Sequence, residues 1–402
     1  MRTLPFKTVA LLLVVAACAT TKPSHPVASA SNPEPVPTRS IAKPPLITFE
    51  TKTIDNVGDQ PFGVVAADFD KDGNIDLAFT DSVSNRVGVM LGKGDGTFGA
   101  ISYRAAGQIP RGLVAADLNR DGYPDIVVAA SHDDAAAVLL NDRKGTFRKA
   151  EFYPAGVRPF EVVVGDLNGD GKLDVLVANE SNLSSSASGT VSLLLGDGKG
   201  KLGTRVDLTA GKFPSAAALA DFSGDHHLDM VVANWGSSNA YVFYADGKGG
   251  FGRGQAVAYD GNSPYDVQAG DMNGDGKFDF VMPDMQEHTA RVMLGDGKGG
   301  FTKGRAAPAG MGCRSIALAD LNGDGILDVA SANTASNDVV VSLGRADHRF
   351  EDGVSFPVGT APRTVIAADI NHDGRPDLVC ASLVGKSITV LLNTTQFPPA
   401  KQ

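Results

Sequence analysis

The sequence predicts an all-β fold, a seven-bladed β-propeller of four-stranded blades in which an N-terminal strand completes the last blade. Three observations predict it. A nine-residue acidic phrase begins at Asp68, Asp117, Asp166, Asp221, Asp271, Asp320 and Asp369, so successive copies stand 49, 49, 55, 50, 49 and 49 residues apart. A period near fifty marks stacked copies of one supersecondary unit, not independent domains. With 47 Gly and 22 Pro against a single Trp in 402 residues, the chain suits many short elements joined by tight turns. Beyond an N-terminal apolar run, no segment carries a 3.6-residue apolar period. A hydrophobic content of 43% supplies a core, and a ring of repeats resolves a length too great for one ordinary core.

In chain order, the first element is an export signal. Arg2 and Lys7 precede an apolar run from Val9 to Ala17, too short to cross a bilayer but long enough for a signal-peptide core. Val15-Ala16-Ala17-Cys18 resembles the lipobox of bacterial lipoproteins. The resemblance implies cleavage before Cys18 and a lipid on that residue, hence a membrane-anchored envelope protein. Ala19 after the Cys favours the outer membrane or cell surface. The alternative is an ordinary secretory signal with a chance Cys. Residues 19–45, rich in Pro, Ser, Thr and Ala, read as an extended tether, residues 46–394 as the propeller and 395–402 as a tail. Of the remaining cysteines, Cys380 lies in an apolar strand and reads as a small buried hydrophobe; two Cys are no disulfide framework.

Each copy of the unit reads alike. A first strand such as Val64-Val65-Ala66-Ala67 leads into the acidic phrase. It has the continuous apolar character of a strand buried on both faces, and a second short strand, such as Asp125 to Ala129, follows the phrase. A third, such as Val339 to Leu343, meets a Gly-rich turn like Gly295 to Phe301, and a more polar fourth strand ends at a Gly or Pro. The one long interval comes from a Ser-rich insertion, Glu180 to Gly189. The last copy ends soon after its third strand, Ser387 to Leu392, while Phe49 to Asp55 aligns with the fourth-strand segment Phe350 to Phe356. The N-terminal strand is therefore expected to fill that gap.

The acidic phrase places oxygen-bearing side chains at positions one, three, five and nine, and a backbone carbonyl is available at position seven. Alternate spacing lets a tight loop turn successive oxygens inward, which suits the six to eight hard ligands of Ca²⁺. The expected ligands are Asp68, Asp70, Asp72, Asn74 and Asp76 in the first loop, and Asp117, Asn119, Asp121, Tyr123 and Asp125 in the second. The third offers Asp166, Asn168, Asp170, Lys172 and Asp174; the fourth, Asp221, Ser223, Asp225, His227 and Asp229. The fifth offers Asp271, Asn273, Asp275, Lys277 and Asp279; the sixth, Asp320, Asn322, Asp324, Ile326 and Asp328; the seventh, Asp369, Asn371, Asp373, Arg375 and Asp377. Up to seven structural ions are expected, the fourth being the weakest because Ser223 and His226 depart from the pattern. Asp-rich turns can also form without metal, through side-chain to backbone hydrogen bonds.

These phrases, spread over residues 46–394, resemble the FG-GAP/VCBS repeats of integrin α-subunit propellers and many bacterial surface proteins. The resemblance implies calcium loops between first and second strands on one face, and partner binding at the opposite face. That face is expected to display His132, Asp133, Asn179, Glu180, Trp235, Asp284, Glu287 and His288, with Phe62, Arg111, Phe160, Tyr265, Arg314 and Arg363 nearer the axis. Trp235 can stack on a sugar or anchor a protein partner, or pack between neighbouring loops. Arg314 and Arg363 can receive an anion, or bond backbone carbonyls and water.

No nucleophile elbow, His-Glu-x-x-His or phosphate loop appears, and His132 and His288 fall in blades two and five, nearly opposite each other. No enzyme activity is expected. A formal charge of −10 argues against nucleic acid as a partner. The expected function is a non-catalytic, calcium-stabilised envelope propeller that mediates binding or adhesion to a protein or glycan. The alternatives are a polysaccharide lyase built on a calcium-bearing propeller, and a structural component of envelope assembly.

Overall fold

In the computed structural model, residues 47–181 and 188–397 are described. The predicted signal, Cys18, the tether, most of the Ser-rich insertion and the end of the tail lie outside these residues. The described residues form seven antiparallel sheets arranged as the blades of a propeller. Blade one is typical: Pro61–Ala67, Asp76–Asp81, Arg86–Met90 and Ser102–Ala105 run from the axis outward. The first strands of neighbouring blades touch in a closed ring.

Closure follows the expected route. Phe49–Asp55 pairs with Ser387–Asn393 over seven residues, from Phe49 opposite Asn393 to Asp55 opposite Ser387. Thr394 N–H donates to Thr48 O at 2.9 Å just beyond. Blade five departs from the pattern. Its first strand is only Gln268–Gly270, and its outer edge is split into Phe301–Lys303 and Ala307–Pro308, which both pair with Thr289–Gly295. The break follows Gly304, whose N–H bonds Val292 O at 2.9 Å instead of continuing the ladder.

The core is distributed. One apolar cluster fills each of the seven interfaces between neighbouring blades. Alternation along the second strand explains this: Ile126 and Val128 face blade one, while Val127 and Ala129 face blade three. Full burial, expected of the first strands, belongs to the second: every residue of each second strand is buried, whereas a first strand such as Pro61–Ala67 keeps half-buried positions. Cys313 and Cys380 are free thiols within this packing.

Two features of the first strands shape the axis. In six blades the ladder slips its register within the first residues, at Pro61, Pro110, Pro159, Pro214, Cys313 and Pro362. Proline cannot donate to a ladder, and such a slip re-aims the following side chain. Polar side chains then stitch blade to blade: Thr364 Oγ1 donates to Phe62 O (2.8 Å), Thr80 Oγ1 to Arg111 O (2.6 Å) and Ser215 Oγ to Pro264 O (3.0 Å).

Candidate functional site

The first strands run from one end of the ring to the other, and in six blades a seven-residue strand separates two chemically distinct ends by about 20 Å. At its C-terminal end each strand delivers an acidic loop. At its N-terminal end each delivers a side chain toward the axis, which in six blades follows the register slip.

All seven acidic loops adopt one geometry. Positions four and six both take left-handed backbone, for example Arg120 (φ 60°) and Gly122 (φ 88°). In the fourth loop His226 takes the sixth position at φ 70°, so the substitution keeps the turn at the cost a side chain pays there. The first-position carboxylate accepts the sixth residue's N–H, as Asp117 Oδ2 does from Gly122 (2.8 Å), and the fifth accepts the seventh's, as Asp121 does from Tyr123 (3.0 Å). The ninth-position Asp is buried in every blade and its two oxygens hold two distant N–H groups. Asp125 accepts from Leu118 (3.1 Å) and Asn141 (2.8 Å), and Asp76, Asp174, Asp229, Asp279, Asp328 and Asp377 repeat the pair. Sequence reasoning assigned this residue to a metal alone; it is also the staple joining loop, first strand and third-strand exit.

The loops hold more negative charge than the protein neutralises. Burial, reinforced by the other loop carboxylates, pushes Asp76, Asp125 and Asp377 up to about 7, Asp279 to about 6 and Asp328 to about 8, and raises Asp174. In the fourth loop burial likewise raises Asp229. Asp68 Oδ1 and Asp166 Oδ1 are buried without a hydrogen-bond partner. Oxygens of Asp68, Asp70 and Asp76 lie within 4.8 Å of one another. Acidic side chains with spare lone pairs, inward-facing and crowded, fit a hard cation. In the fourth loop Ser223 Oγ is buried and unpartnered, and His226 Nδ1 lies 3.6 Å from Asp221, so a cation there competes with the imidazole.

The opposite end gathers side chains from all seven blades. Arg363 Cζ lies 4.4 Å from the Phe62 ring centre, 5.5 Å from Phe160 and 5.4 Å from Tyr265. Arg111 lies 4.8 Å from Phe160, and Arg314 lies 3.9 Å from Tyr265. Trp235 is half-buried between Phe213 (4.8 Å) and Tyr265 (5.1 Å), stacked on both, and its Nε1–H donates to Glu180 at 3.1 Å. Packing between loops is therefore its role, and neither ring face is open to a sugar. Three residues expected on display are buried instead. Asn179 accepts Gly156 N–H (3.1 Å), Asp284 accepts from Gln286, Glu287 and Arg291, and Glu180 pairs with Arg158 at 3.3 Å. These side chains close the turns after the second strands, which requires them to point inward.

One level below, where other blades carry Gly63, Gly112, Ala216, Ser315 and Thr364, stand Glu161 and Asp266. Both residues are half-buried, with their carboxyls packed among neighbouring first strands. Burial pushes Glu161 up to about 8, with Asp266 adding to the shift, and burial raises Asp266 as well. Aligning the repeats reveals this column, together with the Phe62, Arg111, Phe160, Ser215, Tyr265, Arg314 and Arg363 column above it. Arg158, Phe213, Glu161 and Asp266 were missed because a single blade gives no sign that they converge.

Comparison with known families matches segments 68–128, 117–177, 221–282, 284–331 and 320–380 to the FG-GAP-like repeat. Among solved structures, BBS1N in complex with ARL6DN aligns at TM-score 0.61 and 11% identity, over 90% of this chain and 99% of that one. A lectin from Agrocybe aegerita, solved for its recognition of non-reducing terminal N-acetylglucosamine, aligns at 0.53 and 18%, over 86% of each chain. A catalytically inactive virginiamycin B lyase from Staphylococcus aureus aligns at 0.57 and 11%, over 86% of this chain and 99% of that one. At these identities the likeness is one of fold. Comparison with curated protein sequences gives no match.

Proposed function

The chain belongs to the FG-GAP-like repeat family, and from that premise we propose that it is a non-catalytic, calcium-stabilised propeller of the cell envelope that binds a protein or glycan partner at the end opposite its acidic loops. The observation that carries the calcium reading is the unneutralised charge of the loops, with ninth-position carboxylates raised by burial and by their like-charged neighbours. Side chains at positions one, three, five and nine, with the carbonyl at seven, would hold one Ca²⁺ per loop. The ion supplies countercharge and a fixed geometry, and it takes no part in a reaction. The fourth loop binds most weakly.

The binding part is supported by the convergence of all seven blades on one half-exposed polar and aromatic end. The family's fold is also that of a lectin, which makes glycan recognition compatible with it. The non-catalytic part is supported by placement: His132 and His288 belong to blades two and five, while Glu161 and Asp266 are half-buried below the arginines. The envelope part rests on the sequence Val15 to Cys18.

Thermal melting with calcium and with chelator tests the stabilising role. A ligand at a hundred times its Kd adds about 2.7 kcal/mol per site, so stripping several ions is expected to lower Tm by more than ~10 °C. An identical melt in both conditions refutes the calcium reading. Glycan and surface-protein arrays test the second part, and the absence of any specific ligand refutes it.

A further inference from the structure

Resting on the reading of the non-acidic end as the ligand face, we propose that the propeller axis there carries a carboxylate-binding site formed by Arg111, Arg314 and Arg363. The three guanidiniums come from blades two, six and seven and share the faces of Phe62, Phe160 and Tyr265. None of them is ion-paired with a carboxylate among the described residues, although each is largely withdrawn from water. The Nε groups of Arg111 and Arg314 are buried without any hydrogen-bond partner. Burial, with repulsion from Arg158 and Arg314, pulls Arg111 below the usual guanidinium range.

At the level of the arginines the acidic neighbour is Glu180. Glu180 is already engaged by Arg158 at 3.3 Å and by Trp235 Nε1–H at 3.1 Å, and Glu161 and Asp266, one level below, form no ion pair with Arg111, Arg314 or Arg363. Uncompensated charge withdrawn from water is costly unless it is paired and hydrogen-bonded. The aromatic rings lower that cost by holding the cations against their faces, while the Nε donors of Arg111 and Arg314 stay unpaired. A planar fork of N–H donors matches a carboxylate in a bidentate manner. The Phe213–Trp235–Tyr265 stack holds the platform of Arg314 in place. An acidic sugar and an acidic peptide share the required group.

Calorimetric titration of the full chain in calcium, with galacturonate, N-acetylglutamate, galactose and sulfate, tests the site. At least one of the two carboxylates is expected to bind, with galactose and sulfate at least tenfold weaker. Arg314→Gln and Arg363→Gln are each expected to weaken it by tenfold or more. Glu180→Gln keeps the shape and releases Arg158, so it is expected to tighten binding, and it serves where an arginine variant fails to fold. Binding by galacturonate alone assigns the sugar source, and by N-acetylglutamate alone the peptide source. If neither carboxylate exceeds galactose, if sulfate matches them, or if affinity is unchanged in all three variants, the inference fails. A neutral glycan or protein partner whose affinity survives Arg363→Gln also overturns it, while the broader binding reading stands.

Discussion

Glu161 shows how one side chain departs from a repeat and what that costs. Its carboxyl presses on the backbone of Gly112, where a Cβ would come within 2.1 Å of Oε1, and its one hydrogen bond is from Val162 N–H. The groups around it are Asp266 at its own level and the arginines above, and burial raises its folded-state pKa from 4.5 to about 8. The sign follows from linkage. Between these values the unfolded chain has lost the proton and the folded chain keeps it, so folding stability falls as pH rises through this window, by up to about 3 kcal/mol at pH 7. Glu161→Gln removes the titration. Its Tm relative to the parent chain is expected to rise from pH 5 to pH 8; a difference that stays constant across that range refutes the assignment. The sequence shows Glu161 as one acidic residue after a Pro-Phe pair, and only superposed blades reveal that its counterparts are small.

At the scale of the element, the nine-residue loop does two jobs that different positions separate. The ninth Asp holds two backbone N–H groups from inside the fold, whereas the fifth serves the loop's own N–H groups and, in Asp121, an exposed Arg143 at 3.2 Å. Asp125→Ala leaves two buried donors unpaired and is expected to destabilise by about 2–4 kcal/mol with or without calcium. Asp121→Asn keeps an acceptor for Tyr123 N–H and removes one charge, so its loss is expected only when calcium is present. Melting both variants in calcium and in chelator separates the roles; equal calcium dependence of the two would show that the ninth position is a ligand and nothing more. Much of this element was legible. The period, the flanking strands and the left-handed sixth position all follow from residue type and spacing. The staple was not, because its partners lie seven residues back and sixteen ahead, and no local pattern marks a carboxylate that ties its own loop to the exit of the third strand. For Trp235 the sequence left ligand stacking and packing between loops both open, and the rings of Phe213 and Tyr265 stacked on it favour packing.

For the whole molecule, the acidity and the length resolve together. Three Asp per loop and Asp70 account for 22 of the 46 acidic residues, so nearly half of the acidic side chains gather at one end of the ring. The length belongs to one closed array whose seven cores are all interfaces, so no blade is stable by its own packing. Closure therefore governs the entire molecule. Phe49–Asp55 supplies the outer edge of blade seven, Phe49 packs edge-on against Phe356 of blade six at 4.9 Å, and Val57 is buried against both ends of the chain. Without this segment, Ser387–Asn393, buried along its whole length, becomes an open edge, and the apolar clusters on both sides of blade seven lose a wall. Deleting residues 46–58 is expected to lower Tm by more than ~10 °C and to promote self-association through the exposed strand. A synthetic peptide of residues 46–58 added in trans is expected to restore both, because the seven-residue ladder needs no covalent link. A truncated chain that melts as the parent does would show that the ring is held by its blade interfaces alone, and the strand would then be an ornament on a structure already closed.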